Sequence, residues 1–251
     1  MLWSATLGHR EHIHPYLPQF FADVARAIPL TGREDLIDLG SGPGEVGFGF
    51  LPFVASLAFL DAEKPMLDAA EEQARKLGRR IRTVHAKLED APEDIGPFNL
   101  ITMGRSHWFM HTPASHARME RMLAPGGHVL ICMPVQNPDR AAWHETYARV
   151  RQPWMRGPHR ELMKTSVAEF FAGTGIIEVK RVVTHGQKPI DLDQVIHRAL
   201  GTPSTTRAIL GADADRMIAE LRTALAPYFK NGPIIERHAS LGIILRRGRE
   251  S

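Results

Sequence analysis

Residues 36–44, Leu-Ile-Asp-Leu-Gly-Ser-Gly-Pro-Gly, constrain this chain more than any other stretch. An apolar run of strand character ends at Asp38 and passes into three glycines spaced two apart, Gly40, Gly42 and Gly44. Glycine lacks a Cβ, so the backbone can turn sharply there and lie directly against a ligand. From Glu45 the pattern reads as a helix start, with an acid placed favourably against the helix dipole. A strand, a glycine loop and a helix in that order build a nucleotide-type pocket at the carboxyl edge of a parallel sheet.

The spacing selects among nucleotides. The dinucleotide fingerprint G-x-G-x-x-G, counted from Gly40, puts its third glycine on Glu45. Counted from Gly42 it fails across Gly44-Glu45-Val46-Gly47. The pattern D-x-G-x-G-x-G instead resembles the first motif of class I S-adenosylmethionine-dependent methyltransferases, in their type 11/25-like, small-molecule branch. The likeness continues downstream over roughly residues 10–135. It implies an α/β fold with a doubly wound, Rossmann-like, seven-stranded sheet, an antiparallel last strand and a helical cap insertion.

The rhythm of the chain agrees with alternating strands and helices and so with a parallel sheet. Strands are expected at 36–39, 57–60, 81–85, 100–103 and 128–133. Between them, Met66, Ala69, Ala70, Ala74 and Leu77 share one face of a helix over 65–77. The helix after the glycine loop is short, because Pro52 cannot continue it. A helix over 116–123 ends at Ala124-Pro125-Gly126-Gly127. Beyond Pro134 the rhythm changes: helices are expected over 139–150, 166–172, 192–200 and 214–228, with strands over 176–184 and 237–246. Residues 1–251 are expected to form one domain, with an N-terminal lid region in 1–30 and the cap within 135–230.

The resemblance carries residue by residue. In Phe59-Leu60-Asp61-Ala62-Glu63-Lys64-Pro65-Met66-Leu67 it implies that Asp61, with Ala62 and Met66 beside it, holds the cofactor ribose. A carboxylate suits a diol because its two oxygens accept both hydroxyl protons. In His85-Ala86-Lys87-Leu88-Glu89-Asp90, the segment of Lys87, Leu88 and Glu89 is similar to the one that brackets adenine, although the family often has an Asp where Lys87 stands. Met103-Gly104-Arg105-Ser106-His107-Trp108-Phe109 resembles the family's segment after strand four, which makes Gly104 and Arg105 cofactor candidates for the methionine half. Asp38 is expected near the methionine amino group, with Gly40, Ser41, Gly42 and Gly44 as the cradle. The implied cofactor is S-adenosylmethionine.

Methyl transfer from a sulfonium is an in-line displacement that depends on alignment and desolvation. A base helps when the nucleophile starts protonated, and His107 is the first candidate, since imidazole titrates near neutrality. Packing against Trp108 or orienting the substrate is the equal alternative for His107. His14 or Tyr16 is expected to close over the cofactor and the substrate, with Trp108 and His111 contributing to substrate binding. His9, His12 and His14, or His107 with His111, have metal-like spacing, but no cysteine or clear carboxylate completes either set and no metal is expected.

Charge and composition remove other classes. The net charge is +3, and the basic clusters at 75–82 and 246–249 lack the interleaved aromatics of a nucleic-acid face. No apolar run is long enough to span a membrane, and the first residues do not read as a signal peptide. The single cysteine, Cys132, lies in an apolar strand and suits a cytoplasmic protein. The expected partner is a small-molecule substrate, with no membrane or nucleic acid, in a monomer or homodimer. RNA or protein methylation and a non-catalytic cofactor-binding regulator are the alternatives.

Overall fold

In the middle of each early strand, consecutive residues are apolar because both faces of the sheet are covered. Ile37 and Leu39 face one core with Ala58, Leu60, Ile101, Met103, Val129 and Ile131. Leu36 faces the other with Leu57, Phe59, Leu100, Leu130 and Cys132. The computed structural model describes residues 6–7, 16–136, 141–156 and 165–248. Strands β1 (Asp35–Leu39), β2 (Ser56–Asp61), β3 (Arg82–His85), β4 (Phe98–Gly104), β5 (Leu123–Gln136), β6 (Ile176–Ile190) and β7 (Ile234–Arg247) form a seven-stranded sheet in the order β3-β2-β1-β4-β5-β7-β6.

β1 pairs in parallel with β2 and with β4, and β2 with β3 and β4 with β5 are parallel too. The last strands run antiparallel, as expected. Chain order therefore reverses across β1 and β4, which opens a crevice at their carboxyl ends. Helix α1 (Pro18–Ala27) buries Phe20, Phe21 and Val24. α2 (Glu45–Gly49) follows the glycine loop at the length that Pro52 allows. α3 (Lys64–Lys76) buries Met66, Ala70 and Ala74, four residues apart on one face. α4 (Pro113–Met122) is capped by Thr112, whose hydroxyl accepts from the Ser115 N–H at 3.1 Å.

Three boundaries differ from the sequence expectation. β5 starts at Leu123, ahead of the Pro-Gly-Gly turn, because Leu123 already pairs with Phe98. The next pair is Leu100 with His128, so Ala124–Gly127 bulge out of the ladder rather than ending it. α4 begins at Pro113, three residues early, because Thr112 caps it. β6 continues past Thr184 to Ile190 through Gly186 and Pro189, which an edge strand tolerates.

By contacts the chain divides into two units. The larger holds 16–133 with parts of 163–184 and 240–251, and contains the glycine loop. The smaller is drawn from 134–162 and 185–239. Its core joins Trp143 and Tyr147 of α5 (Ala142–Arg151) to Val195 and Ala199 of the helix Leu192–Leu200 and Met217 and Leu221 of the helix Asp213–Leu225. Within it the buried Glu236 carboxylate accepts from both Arg198 guanidinium nitrogens, at 2.7 and 2.8 Å, and lies 3.5 Å from His144 Nε2.

Gly47 of α2 lies against the fully buried Phe59 ring, and a Cβ there would overlap the ring edge. Gly47→Ala should therefore destabilise the fold by about 1–3 kcal/mol in chemical denaturation, overpacking outweighing the better helix propensity of alanine. An unchanged or raised midpoint would refute the packing account.

Candidate active site

The three loop glycines all take left-handed backbone, with φ of 61° at Gly40, 54° at Gly42 and 89° at Gly44. Gly40 also has no room: a Cβ would lie 2.7 Å from Ser106 Cβ. Gly42 is the opposite case, with nothing within 4 Å of its absent Cβ, so the loop is open on that side. The conformation, not crowding, requires glycine at Gly42.

Asp61, at the end of β2, closes the loop from the neighbouring strand. Its Oδ2 accepts from the Gly42 N–H at 2.7 Å and its Oδ1 from the Glu63 N–H at 2.8 Å. Burial raises its pKa against those two hydrogen bonds. Ser41 is tied to the same strand by its N–H to the Leu60 carbonyl, at 3.1 Å. Ala62, next in the chain, is exposed, and Met66 is buried in α3.

Asp38 points into the protein. Only 1% exposed, it accepts from Thr102 Oγ1 at 2.7 Å and from the Gly47 N–H at 3.1 Å. Thr102 stands directly opposite it in the β1–β4 register. Burial is the largest influence on Asp38 and lifts its pKa to about 7 in spite of the two donors. Thr102 escaped the sequence reading, although a threonine inside the apolar run of β4 was the available signal.

Beyond Gly104, Arg105 adopts φ of 58°, the single left-handed non-glycine residue among those described. Its N–H donates to the Cys132 carbonyl at 3.1 Å, and its Nη2 to Glu45 Oε2 at 2.7 Å. Its guanidinium lies 5.7 Å from the Tyr16 ring centre. Tyr16 is buried, and its hydroxyl donates to the same Cys132 carbonyl at 3.0 Å. Ser106 turns back and donates to the Leu39 carbonyl at 2.7 Å, which locks the start of the glycine loop. Glu45 and Ser106 are contributors that the sequence reading had not placed in the site.

His107 and Trp108 lie next along the chain in a 3-10 turn and are both buried. The His107 ring meets those of Trp108 at 4.5 Å and Phe170 at 5.6 Å. Burial lowers its pKa to about 4, a hydrogen bond with the Thr165 backbone opposing. His107 Nδ1 and Trp108 Nε1 have no hydrogen-bond partner among the described residues. His111 is exposed and packs on His116 and Phe170. In the segment after β3, Leu88 is buried and Lys87 exposed, while Glu89 accepts from Ser115 Oγ at 2.9 Å. His14, with His9 and His12, lies outside the described residues. The described residues include no group of three or more His, Cys, Asp or Glu side chains that could hold a metal ion.

Residues 36–127, from β1 to the turn within β5, match the model of the methyltransferase domain family. This stretch is similar to a methyltransferase domain. The chain is 31% identical over 137 residues to nocamycin O-methyltransferase of Saccharothrix syringae, a match that covers 50% of this chain and 48% of that one. It is 30% identical over 108 residues to the cypemycin N-terminal methyltransferase of a Streptomyces species, covering 41% and 42%. The matches thus span about half the length of these curated relatives. A SAM-dependent methyltransferase of Geobacter sulfurreducens, solved with S-adenosyl-L-homocysteine, shares the fold at 19% identity and a TM-score of 0.56, with 98% of each chain covered.

The cradle of this domain fits S-adenosylmethionine. A glycine loop with open space at Gly42, a two-oxygen acid at the end of β2 and a buried Leu88 meet the needs of an adenosyl group. A partly exposed cation and anion, Arg105 and Glu45, stand at the other end.

Asp38 gives the domain a pH signature. Its folded pKa of about 7 lies above the ordinary aspartate value of 3.8, so between these pH values the native state keeps a proton that the unfolded chain has lost. Stability from this group is therefore present at low pH, falls as pH rises from about 4 to 7, and is level above that. Asp38→Asn should flatten this fall, read as the difference between wild-type and variant denaturation midpoints across pH 4–8. Parallel curves would exclude the titration.

Proposed function

We propose that the protein transfers the methyl group of S-adenosylmethionine to a small-molecule acceptor. The observation that carries this is the closure of the glycine loop by Asp61, whose oxygens meet the Gly42 and Glu63 N–H groups at the carboxyl edge of β2. Each oxygen keeps a lone pair for a ribose hydroxyl. When bound, the cofactor supplies a sulfonium-activated methyl. Leu88 packs beside the adenine, Lys87 contributes backbone there, and Ala62 and Met66 border the ribose.

The nocamycin relative supports a small-molecule acceptor, and the O- and N-terminal chemistries of the two relatives leave the acceptor atom to experiment. Of the two partners the sequence reading gave Tyr16, the donor is the better match, because the Tyr16 ring lies by Arg105. Trp108 and His111 are proposed to border the acceptor, following β4 as they do. His107 is proposed to take the acceptor proton. Burial keeps its imidazole neutral above about pH 4, so it is in the accepting form throughout the physiological range.

Calorimetric titration should show S-adenosylmethionine binding and no NADH binding. Asp61→Ala should weaken it by about 10- to 100-fold, the scale of losing a charged hydrogen-bond partner. Equal affinity would remove Asp61 from the ribose site. Transfer of a labelled methyl from S-adenosylmethionine to a panel of hydroxyl, amine and carboxylate metabolites tests the activity itself.

In wild type, the His107 limb of the kcat profile should fall near pH 4, where the imidazole is protonated. His107→Gln should lower kcat at pH 7 and abolish that limb. Unchanged turnover with the limb intact would leave His107 a packing residue.

A further inference from the structure

β6 is the last strand of the sheet, and no strand among the described residues lies beyond it. Its residues 177–181 are all exposed, unlike the buried centres of β1, β2 and β4. Ile177, Val179 and Val183 are 50%, 42% and 49% exposed and, at even spacing, share one face. They are three of the seven large apolar side chains that the described residues leave exposed, and such clustering marks a contact surface. The opposite face is anchored. Val182 packs against the core that includes Phe20 and Val24 of α1, and Thr184 Oγ1 donates to Asp23 Oδ2 of the same helix at 2.6 Å.

An open strand edge is a template for another strand, and charged side chains normally guard it. Here the charges select one register. When two copies of β6 meet antiparallel about a twofold axis, directly opposite residues point to the same face. A twofold at Glu178, Lys180 or Arg181 sets that residue against its own copy, like charge on like charge. A twofold at Ile177 leaves only 176–178 to pair, because β6 starts at Ile176. A twofold at Val179 sets Val179 against itself and Glu178 against Lys180 on both sides. Glu178 already accepts from Arg181 Nε and Nη2 of its own chain, at 2.6 and 2.9 Å, and in this register its carboxylate gains a second cation.

We propose that two copies of this chain pair along the outer edge of β6, antiparallel and about a twofold at Val179, into one continuous sheet. The occupant is a second copy because the edge is its own complement. The acid at Glu178 meets the base at Lys180 when the neighbouring strand repeats the sequence. The apolar stripe is covered in the same step. Val179 lies on its own copy, and Ile177 faces Arg181, whose aliphatic stem covers it. Val183 falls opposite Gly175, which has open space where a Cβ would be. The contact belongs to the larger unit and does not depend on the reaction the protein performs.

Sedimentation velocity of the full chain tests this. Wild type should sediment as a dimer at about 100 µM. Glu178→Lys and Lys180→Glu should each weaken the dimer about tenfold, since each sets like charges opposite at two places. The double variant restores both pairs with the signs exchanged and should return to within about threefold of wild type. Both positions are exposed, so the thermal midpoints should stay near that of wild type. A short bismaleimide should link Val179→Cys into a dimer but not Val183→Cys, whose two copies lie roughly 27 Å apart in this register. Cys132 is buried and should not react. A wild type that stays monomeric, or a dimer that neither charge reversal weakens, would overturn the proposal and leave the stripe to another protein. Single losses without rescue in the double variant would overturn the register.

Discussion

The rest of the site depends on one buried carboxylate. Asp38 ends the apolar run of β1 and is shared between the Gly47 N–H of α2 and the hydroxyl of Thr102 on β4. It therefore fixes the turn after the glycine loop and the adjacent strand to one another. Its cost is visible in the pKa of about 7, which burial raises and the two donors only partly restore. A buried carboxyl is tolerable when its oxygens are paired, and here both are. With β1, α2 and β4 joined, the intervening loop has little freedom. Gly40 then lies against Ser106, whose hydroxyl returns to the Leu39 carbonyl.

Around this anchor the polar groups divide by depth. The deepest, Asp38, Thr102 and Ser106, satisfy one another or the backbone and hold the loop's shape. Asp61, Glu45 and Arg105 lie nearer the surface and keep lone pairs, protons or charge to offer. Next to them His107 and Trp108 form a third class, buried and with a ring nitrogen unsatisfied among the described residues. An unsatisfied buried nitrogen costs free energy, and such a cost is commonly retained where a ligand repays it. That contrast separates groups that build the cradle from groups placed to meet something else.

The central strands and the loop were legible from sequence because burial on both faces makes β1, β2 and β4 read as mostly apolar runs. Glycines at fixed spacing then mark where the backbone turns. Legibility fell where tertiary pairing overrode local signals. Pro125, Gly126 and Gly127 read as an end, yet β5 had already begun at Leu123 and absorbed them as a bulge. His185 to Ile190 carry no strand pattern, and β6 holds them because it lies at the edge. Side-chain roles were less legible still. Glu45 read as a helix-start acid, and only the fold brings it to Arg105, sixty residues away.

Arg105 is the strained point of the site. Left-handed backbone costs a non-glycine residue about 1–2 kcal/mol, and glycine stands immediately before it. Glycine at Arg105 would remove the strain but also the guanidinium, its ion pair with Glu45 and its contact with Tyr16. A partly exposed ion pair contributes at most about 1 kcal/mol, so the pair does not offset the strain by stability alone. Gly104 must remain glycine, since a Cβ there would lie 2.5 Å from Val46 Cγ2 and 3.4 Å from the Tyr16 hydroxyl. Arg105 reaches both the Glu45 carboxylate and the Tyr16 ring, and these contacts, with its N–H bond to the Cys132 carbonyl, hold the strained backbone in place.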